Sequence, residues 1–314
     1  MNILVTGGAG FIGSHIIGVA LKEGHSVVCL DDFSTGKTEN IKTFMNHSSF
    51  TFIKGSILDV EMVQDICKEH GITHISHQAA FGSVPKSVEN PLLWNEVNVQ
   101  GTLGMLWAAK ETGVKRVVCA ISSSVYGDTP TLPKVETMPY LCKSPYAVTK
   151  AACEMYCRIF PELYGLETVG LRYFNVYGPR QDPSGLYPAV IPAFVSRALR
   201  EEPLTIFGDG TATRDFTYVR DVAHANLHAL VQEGIAGETF NIACGRRISI
   251  RELAEKIQQL TGSGSEITTG DPRPGDVDHS LADTTKAGKL LGFVPETTID
   301  EGLKETIEWF DATD

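Results

Sequence analysis

Short apolar runs alternate with segments of helical periodicity along the first half of the chain. Ile3–Thr6, Ser26–Leu30, Phe50–Lys54, His74–His77, Arg116–Ile121 and Thr168–Arg172 read as strands. Between them, Phe11–Glu23 carries Ile12, Ile16, Ile17, Val19, Ala20 and Leu21 on one broad face. Further helices are predicted at Val60–His70, Pro91–Thr112 and Pro145–Leu163. Near-continuous apolar strands alternating with helices predict an α/β fold, a doubly wound parallel sheet covered on both faces.

The pattern changes after Arg172. Pro179, Pro183, Pro188, Pro192 and Pro203 crowd a stretch that also holds Gly178, Gly185, Gly208 and Gly210, which reads as an irregular second lobe. Asp221–Gln232 is helical again, Phe240–Ala243 is a short strand, and Ile250–Thr261 is an amphipathic helix with Ser249 as its N-cap. Thr285–Leu291 and Ile299–Phe310 are predicted as two more helices. No tether separates the lobes, so a smaller α/β domain is expected to interleave with the larger one. The larger takes residues 1–172 and about 216–243, the smaller 173–215 and 244–314.

Composition narrows the partners. With 27 basic and 38 acidic residues among 314, the net charge is −11. That opposes a nucleic-acid groove or an anionic membrane surface but not a phosphorylated small molecule. No apolar run is long enough to span a membrane. The chain opens directly on a strand, with no leader expected. The 7 cysteines form no CxxC pair and most lie in apolar runs, as expected of reduced thiols in a cytoplasmic protein. The 9 histidines show no metal-ligand spacing, and no metal is expected.

The densest local signal is Gly7-Gly8-Ala9-Gly10-Phe11-Ile12-Gly13, between the first strand and the first helix. Glycines there permit the tight turn and the close approach of a pyrophosphate, which the helix N-terminus then faces. Asp31 ends the second strand, where a carboxylate accepts from both ribose hydroxyls and repels a 2′-phosphate. A Rossmann-type fold binding NAD rather than NADP follows. Tyr146 and Lys150, at i and i+4 of a predicted helix, share a face. Ser122, Ser123 and Ser124 end a buried strand at the sheet edge where ligands bind. Hydroxyl, phenol and ammonium beside a dinucleotide imply proton relay next to hydride transfer.

Together these residues resemble the extended, nucleotide-sugar-modifying branch of the short-chain dehydrogenase/reductase superfamily, over essentially the whole chain. The resemblance also rests on His77-Gln-Ala-Ala80, Asn98-Val-Gln-Gly101, Ser122–Gly127, Leu171-Arg-Tyr-Phe-Asn175, Arg214-Asp215-Phe216 and Arg273–Asp276. Within the branch the chain is similar to the UDP-sugar 4-epimerases, and most to the UDP-N-acetylglucosamine group. That likeness lies in Ser83-Val-Pro-Lys-Ser-Val, Arg180-Gln-Asp-Pro183 and the Gly275–Asp283 stretch.

The resemblance implies transient oxidation at the sugar C4 with Tyr146 as acid/base, Ser122 on the C4 oxygen and Lys150 on the nicotinamide ribose. It implies NAD contacts from Gly7, Gly10, Phe11, Ile12, Gly13, Asp31, Asp32, Ser56, Ile57, Ala79, Ala80, Asn98 and Tyr173. It implies a UDP-sugar site drawn from Ser83, Ser122, Ser123, Ser124, Asn175, Val190, Arg214, Arg273, Asp276 and Ser280. There the arginines and Asn175 would meet the diphosphate and Asp276 the uridine ribose. Where family members restricted to unsubstituted hexoses carry a tyrosine, Ser280 leaves room for a 2-acetamido group. Ser56 replaces a family aspartate that meets the adenine amino group, which implies a weaker contact. Related 4,6-dehydratases need an acid and a base where Ser123 and Ser124 stand. A UDP-glucuronate 4-epimerase, with Arg180 meeting the carboxylate, stays open, as do a net oxidoreductase and an NAD-binding module. The family commonly forms homodimers through a four-helix bundle, here expected from Pro91–Thr112 and Pro145–Leu163.

Overall fold

The computed structural model describes residues 1–183, 189–271 and 277–313. Strand β1 (Asn2–Thr6) runs through the glycine turn into α1 (Phe11–Lys22) and β2 (Ser26–Asp31). Then come α2 (Thr38–Ile41), β3 (Phe50–Lys54), α3 (Val60–Glu69) and β4 (His74–His77). Helices α4 (Val84–Glu89) and α5 (Pro91–Trp94) follow, and α5 continues through a π-helical turn at Asn95–Gln100 into α6 (Gly101–Glu111). Strand β5 (Arg116–Ser122) ends in a 3-10 turn, and a long loop leads to α7 (Pro145–Tyr164) and β6 (Glu167–Tyr173).

The remainder alternates smaller elements. These are β7 (Val176–Tyr177), α8 (Val190–Leu199), β8 (Leu204–Phe207), β9 (Thr213–Arg214), β10 (Thr217–Tyr218) and α9 (Val219–Val231). After them come β11 (Thr239–Ile242), β12 (Ile248–Ser249), α10 (Ile250–Thr261), β13 (Ile267–Gly270) and α11 (Ile299–Asp311).

Seven parallel strands form one sheet in the order β11-β6-β5-β4-β1-β2-β3. The strands are apolar because both faces are covered: every residue of β1 after Asn2, and of β6 after Glu167, is buried. One core packs α1 and α9 on one face; the other packs α3, α6 and α7 on the opposite face. This is the expected Rossmann-type sheet. Its order reverses between β1 and β4, which opens a crevice at the carboxyl ends of those strands. A third core gathers α8, α10 and α11 around the parallel β8–β13 pair, with Phe194, Val195, Leu253, Ile257, Leu303 and Phe310 at its centre.

Three expectations change. The helix expected at Pro91–Thr112 is interrupted by the π-helical turn, which contains Asn98. Helix α8 lies where loops were expected, because Pro192 falls in its first turn, where a missing N–H breaks no helical bond. The helix expected at Thr285–Leu291 has a π-helical turn at Ala287–Leu291.

Candidate active site

The crevice is a cleft of about 500 Å³ running from Asp31 past the glycine turn to Tyr146, Lys150 and Tyr173. Gly7 turns the chain with φ +64°, and Gly10 caps α1 with no side chain over its N–H groups. Phe11, Ile12 and Gly13 therefore present an open helix N-terminus to the cleft. The Asp31 carboxylate is held by Ala9 N at 2.9 Å and Phe33 N at 2.8 Å. Burial raises its pKa, while those two N–H groups pull it down. Asp32, Ser56, Ile57, Ala79 and Ala80 also line the cleft. Asp32 accepts from Ser34 N, and Ser56 Oγ accepts from Leu58 N.

Asn98 lies on the π-helical turn at Asn95–Gln100. It is buried, its Nδ2 donates to Phe81 O and to Thr149 Oγ1, and its Oδ1 accepts from Phe81 N. It holds in place the loop after β4, whose Phe81 lines the cleft.

At the other end, α7 begins at Ser144, whose Oγ accepts from Ala147 N. The N–H of Tyr146, one of the helix's unpaired first-turn donors, is taken by Ser87 Oγ of α4 at 3.1 Å. Ser87 was not foreseen, because its partner lies 59 residues away. Lys150 is buried one turn beyond Tyr146, with Nζ donating to Ala120 O at 2.8 Å. That bond fixes its stem against β5 and leaves two further N–H donors.

Ser122 ends β5, in register with Tyr173, and its Oγ accepts from Ser124 N at 3.1 Å. Ser123 and Ser124 follow on the 3-10 turn, and Ser124 Oγ is buried with no hydrogen-bond partner among the described residues. The turn is anchored by Tyr126, whose hydroxyl accepts from Arg172 Nη1 and donates to Asn241 Oδ1, each at 2.6 Å. Arg172 forms a bidentate pair with Glu154 of α7 at 2.7 and 2.6 Å. The pair is entirely buried, so removing either partner would leave an uncompensated charge in the core. The serine turn and the Tyr146–Lys150 helix are thus tied into one unit.

Two more of the expected residues, Asn175 and Ser280, meet at Asp215. Asn175 stands at φ +35°, and its Nδ2 donates to Asp215 O at 2.9 Å and to Ser280 Oγ at 3.0 Å. Both of its N–H groups are thereby partnered within the protein. Ser280 is buried and also accepts from Asp215 N at 3.2 Å. The Asp215 carboxylate accepts from the backbone N–H groups of Cys244, Gly245 and Ala282, and burial lifts its pKa to about 6. Arg214 donates to Thr213 O and Asp278 O. Ser83 caps α4 and Val190 opens α8. Arg273 and Asp276 lie outside the described residues.

Residues 3–243 match the profile of the NAD dependent epimerase/dehydratase family. A UDP-glucose 4-epimerase of Mycolicibacterium smegmatis is 40% identical over 311 residues, covering 99% of this chain and 98% of that protein. The solved UDP-N-acetylglucosamine 4-epimerase of Methanobrevibacter ruminantium, in complex with UDP-N-acetylmuramic acid, superposes with a TM-score of 0.95. It is 40% identical, over 100% of this chain and 99% of that one. A UDP-glucuronic acid 4-epimerase of Bacillus cereus, with UDP-glucuronic acid and NAD, superposes at 0.92 with 33% identity over the full length of both chains.

Proposed function

The chain belongs to the NAD-dependent epimerase/dehydratase family, and from that premise we propose that it is a UDP-sugar 4-epimerase whose preferred pair is UDP-N-acetylglucosamine and UDP-N-acetylgalactosamine. UDP-glucose and UDP-galactose are smaller ligands that such a pocket rejects only weakly. The observation that carries the reading is one juxtaposition. Tyr146 and Lys150 share a face of α7 and line one end of a cleft that runs past the glycine turn to Asp31, with β5, which Ser122 ends, lining that same end through Ala120 and Ile121.

The cleft fits NAD. A Cβ added at Gly13 would strike the turn's own backbone and one at Gly7 the backbone of Ala79, and Asp31 stands at the distal end. Held by the Gly7–Gly13 turn and Asp31, NAD would supply a reversible hydride acceptor for the sugar C4. Tyr146 removes the C4 hydroxyl proton and gives it back after the 4-keto sugar has turned. Lys150, with Nζ already aimed by Ala120 O, supplies a positive charge beside the phenol and donors for the cofactor ribose. Ser122 donates to the C4 oxygen.

For the sugar itself, the support is Ser280: its small side chain is drawn back onto Asn175 and Asp215. Arg214 and Arg273 hold the diphosphate and Asp276 the uridine ribose in this reading, with residues 173–215 and 244–314 as the UDP-sugar domain. A glucuronate specificity is less well supported. Arg180, the cation that would meet the carboxylate, lies 5.5 Å over the Phe44 ring and does not line the cleft.

Val148, Met155, Ile159 and Leu163 form an exposed apolar stripe along α7, beside exposed Trp107 of α6, which supports a homodimer through these helices. All 7 cysteines are free, which supports a cytoplasmic setting. Among the described residues no helix is long and apolar enough to cross a membrane.

The test is Tyr146→Phe. It should bind UDP-sugar normally and lose nearly all turnover, while the wild type epimerises with no net NADH absorbance. Near-normal turnover in the variant would sink the mechanism, and stoichiometric NADH would make the protein a net oxidoreductase.

A further inference from the structure

At the Tyr146–Lys150 end of the cleft lies a closed circuit of buried and half-buried hydrogen bonds. Tyr173 and Gln78 face the cleft. Tyr173 OH donates to Gln78 Oε1 at 3.0 Å, Gln78 Nε2 donates to Asn226 Oδ1 at 3.0 Å, and Asn226 Nδ2 donates to Tyr173 OH at 2.8 Å. The three bonds run head to tail, the arrangement in which each polarises the next. Asn226 also donates to Val222 O at 2.8 Å and accepts from Ser76 Oγ at 3.1 Å. All four hydrogen bonds its amide can make are therefore made, by a residue with no exposed surface.

Asparagine gains nothing from the interior of a helix such as α9. Only one of the four bonds, to Val222 O, serves α9 itself. The other three reach β4, the segment after it and β6, all leading to the cleft.

We propose that Asn226 is a positioning residue for the cofactor. It fixes the Tyr173 ring and the Gln78 amide as the floor on which the nicotinamide end of NAD rests, although α9 itself does not line the cleft. Tyr173 is the register partner of Ser122, so any drift in this floor is felt beside the reacting carbon. The proposal rests on the reading that NAD occupies this cleft.

The experiment uses the full-length protein. Asn226→Leu keeps the branched side-chain skeleton and removes donor and acceptor; Asn226→Asp keeps the shape and removes the donor. NAD per chain, NAD dissociation rate, kcat and KM with added NAD, and the unfolding midpoint are measured for each. Both variants should release NAD at least about tenfold faster and lose several-fold in kcat, with KM for the UDP-sugar unchanged. Tyr173→Phe opens the same circuit at a second node, and combined with Asn226→Leu it should lose no more than the worse single variant. If the Leu variant does not fold, the Asp and Phe variants carry the test alone. Wild-type NAD release, with only a lowered unfolding midpoint, would make Asn226 merely structural and overturn the proposal. Losses that multiply in the double variant would overturn it too. A wild-type protein that binds no NAD would overturn the functional reading itself, and this proposal with it.

Discussion

Replacing Gly13 by alanine tests the cofactor cleft where the fold has least freedom. A Cβ at Gly13 would stand 2.2 Å from Gly7 O, 2.8 Å from Gly8 Cα and 2.9 Å from Gly7 C. Ordinary contact begins near 3.4 Å, so the Gly7 carbonyl must retreat by about 1.2 Å (3.4 − 2.2). It has nowhere to go. Gly7 N is bonded to Leu30 O at 2.9 Å, Gly7 O accepts from Gly10 N at 3.1 Å, and Ala79 backbone closes the other side. The turn must therefore distort where the pyrophosphate seats. A displacement of roughly 1 Å in such a site costs about 10²-fold, close to 2.7 kcal/mol. The assay is NAD released from the purified protein and quantified by chromatography, together with an NAD titration of the stripped protein. The variant should fold but carry little NAD and bind it about 100-fold more weakly. A Gly13→Ala protein holding one NAD per chain with wild-type affinity would refute the placement of the dinucleotide on this turn.

Two further outcomes are expected. His77 is wholly buried between Thr6 Oγ1 at 2.7 Å and Thr102 Oγ1 at 3.0 Å, and burial, with Lys150 nearby, holds its pKa down to about 3. Burial likewise lowers that of His15 to about 4, with Arg180 adding to the effect. Between these values and about 6.5 the unfolded chain binds protons that the folded chain refuses, so stability falls as pH drops through that window. The slope approaches ~1.4 kcal/mol per pH unit for each group. Urea unfolding of the wild type and His77→Gln from pH 7 to 5 checks this, and identical slopes would show that His77 does not contribute. In solution the 34.1 kDa chain should sediment as a dimer that Leu163→Glu dissociates, because Leu163 lies on the exposed α7 stripe. A monomeric wild type would remove the dimer reading.

The parts of the fold set by local pattern were legible in the sequence. The sheet strands and the glycine turn follow from periodicity and from Gly7–Gly13, and Tyr146 and Lys150 share a face through helical spacing alone. Three kinds of feature escaped. Helices α4 and α8 have prolines in their first turns, Pro85 and Pro192, which look like breakers in a sequence but are compatible with a helix start. The β8–β13 pair joins two runs of 4 residues that acquire strand character only from each other. The polar contacts that aim the site, Ser87 to Tyr146, Glu154 to Arg172 and Asn226 to Tyr173, join residues far apart in the chain, so no local signal announces them. The same cause explains Asn98 and Asn175. Both stand in the expected motifs, and partners distant in sequence take up their amide N–H groups.

The most direct test of the account is proton NMR of the purified protein with UDP-N-acetylglucosamine and no added NAD. The account predicts that the anomeric signal of UDP-N-acetylgalactosamine grows to a steady ratio while no NADH accumulates. Turnover confined to UDP-glucose or UDP-glucuronate, with the N-acetylated sugar untouched even after NAD is added, would contradict the reading of Ser280 and of the sugar pocket.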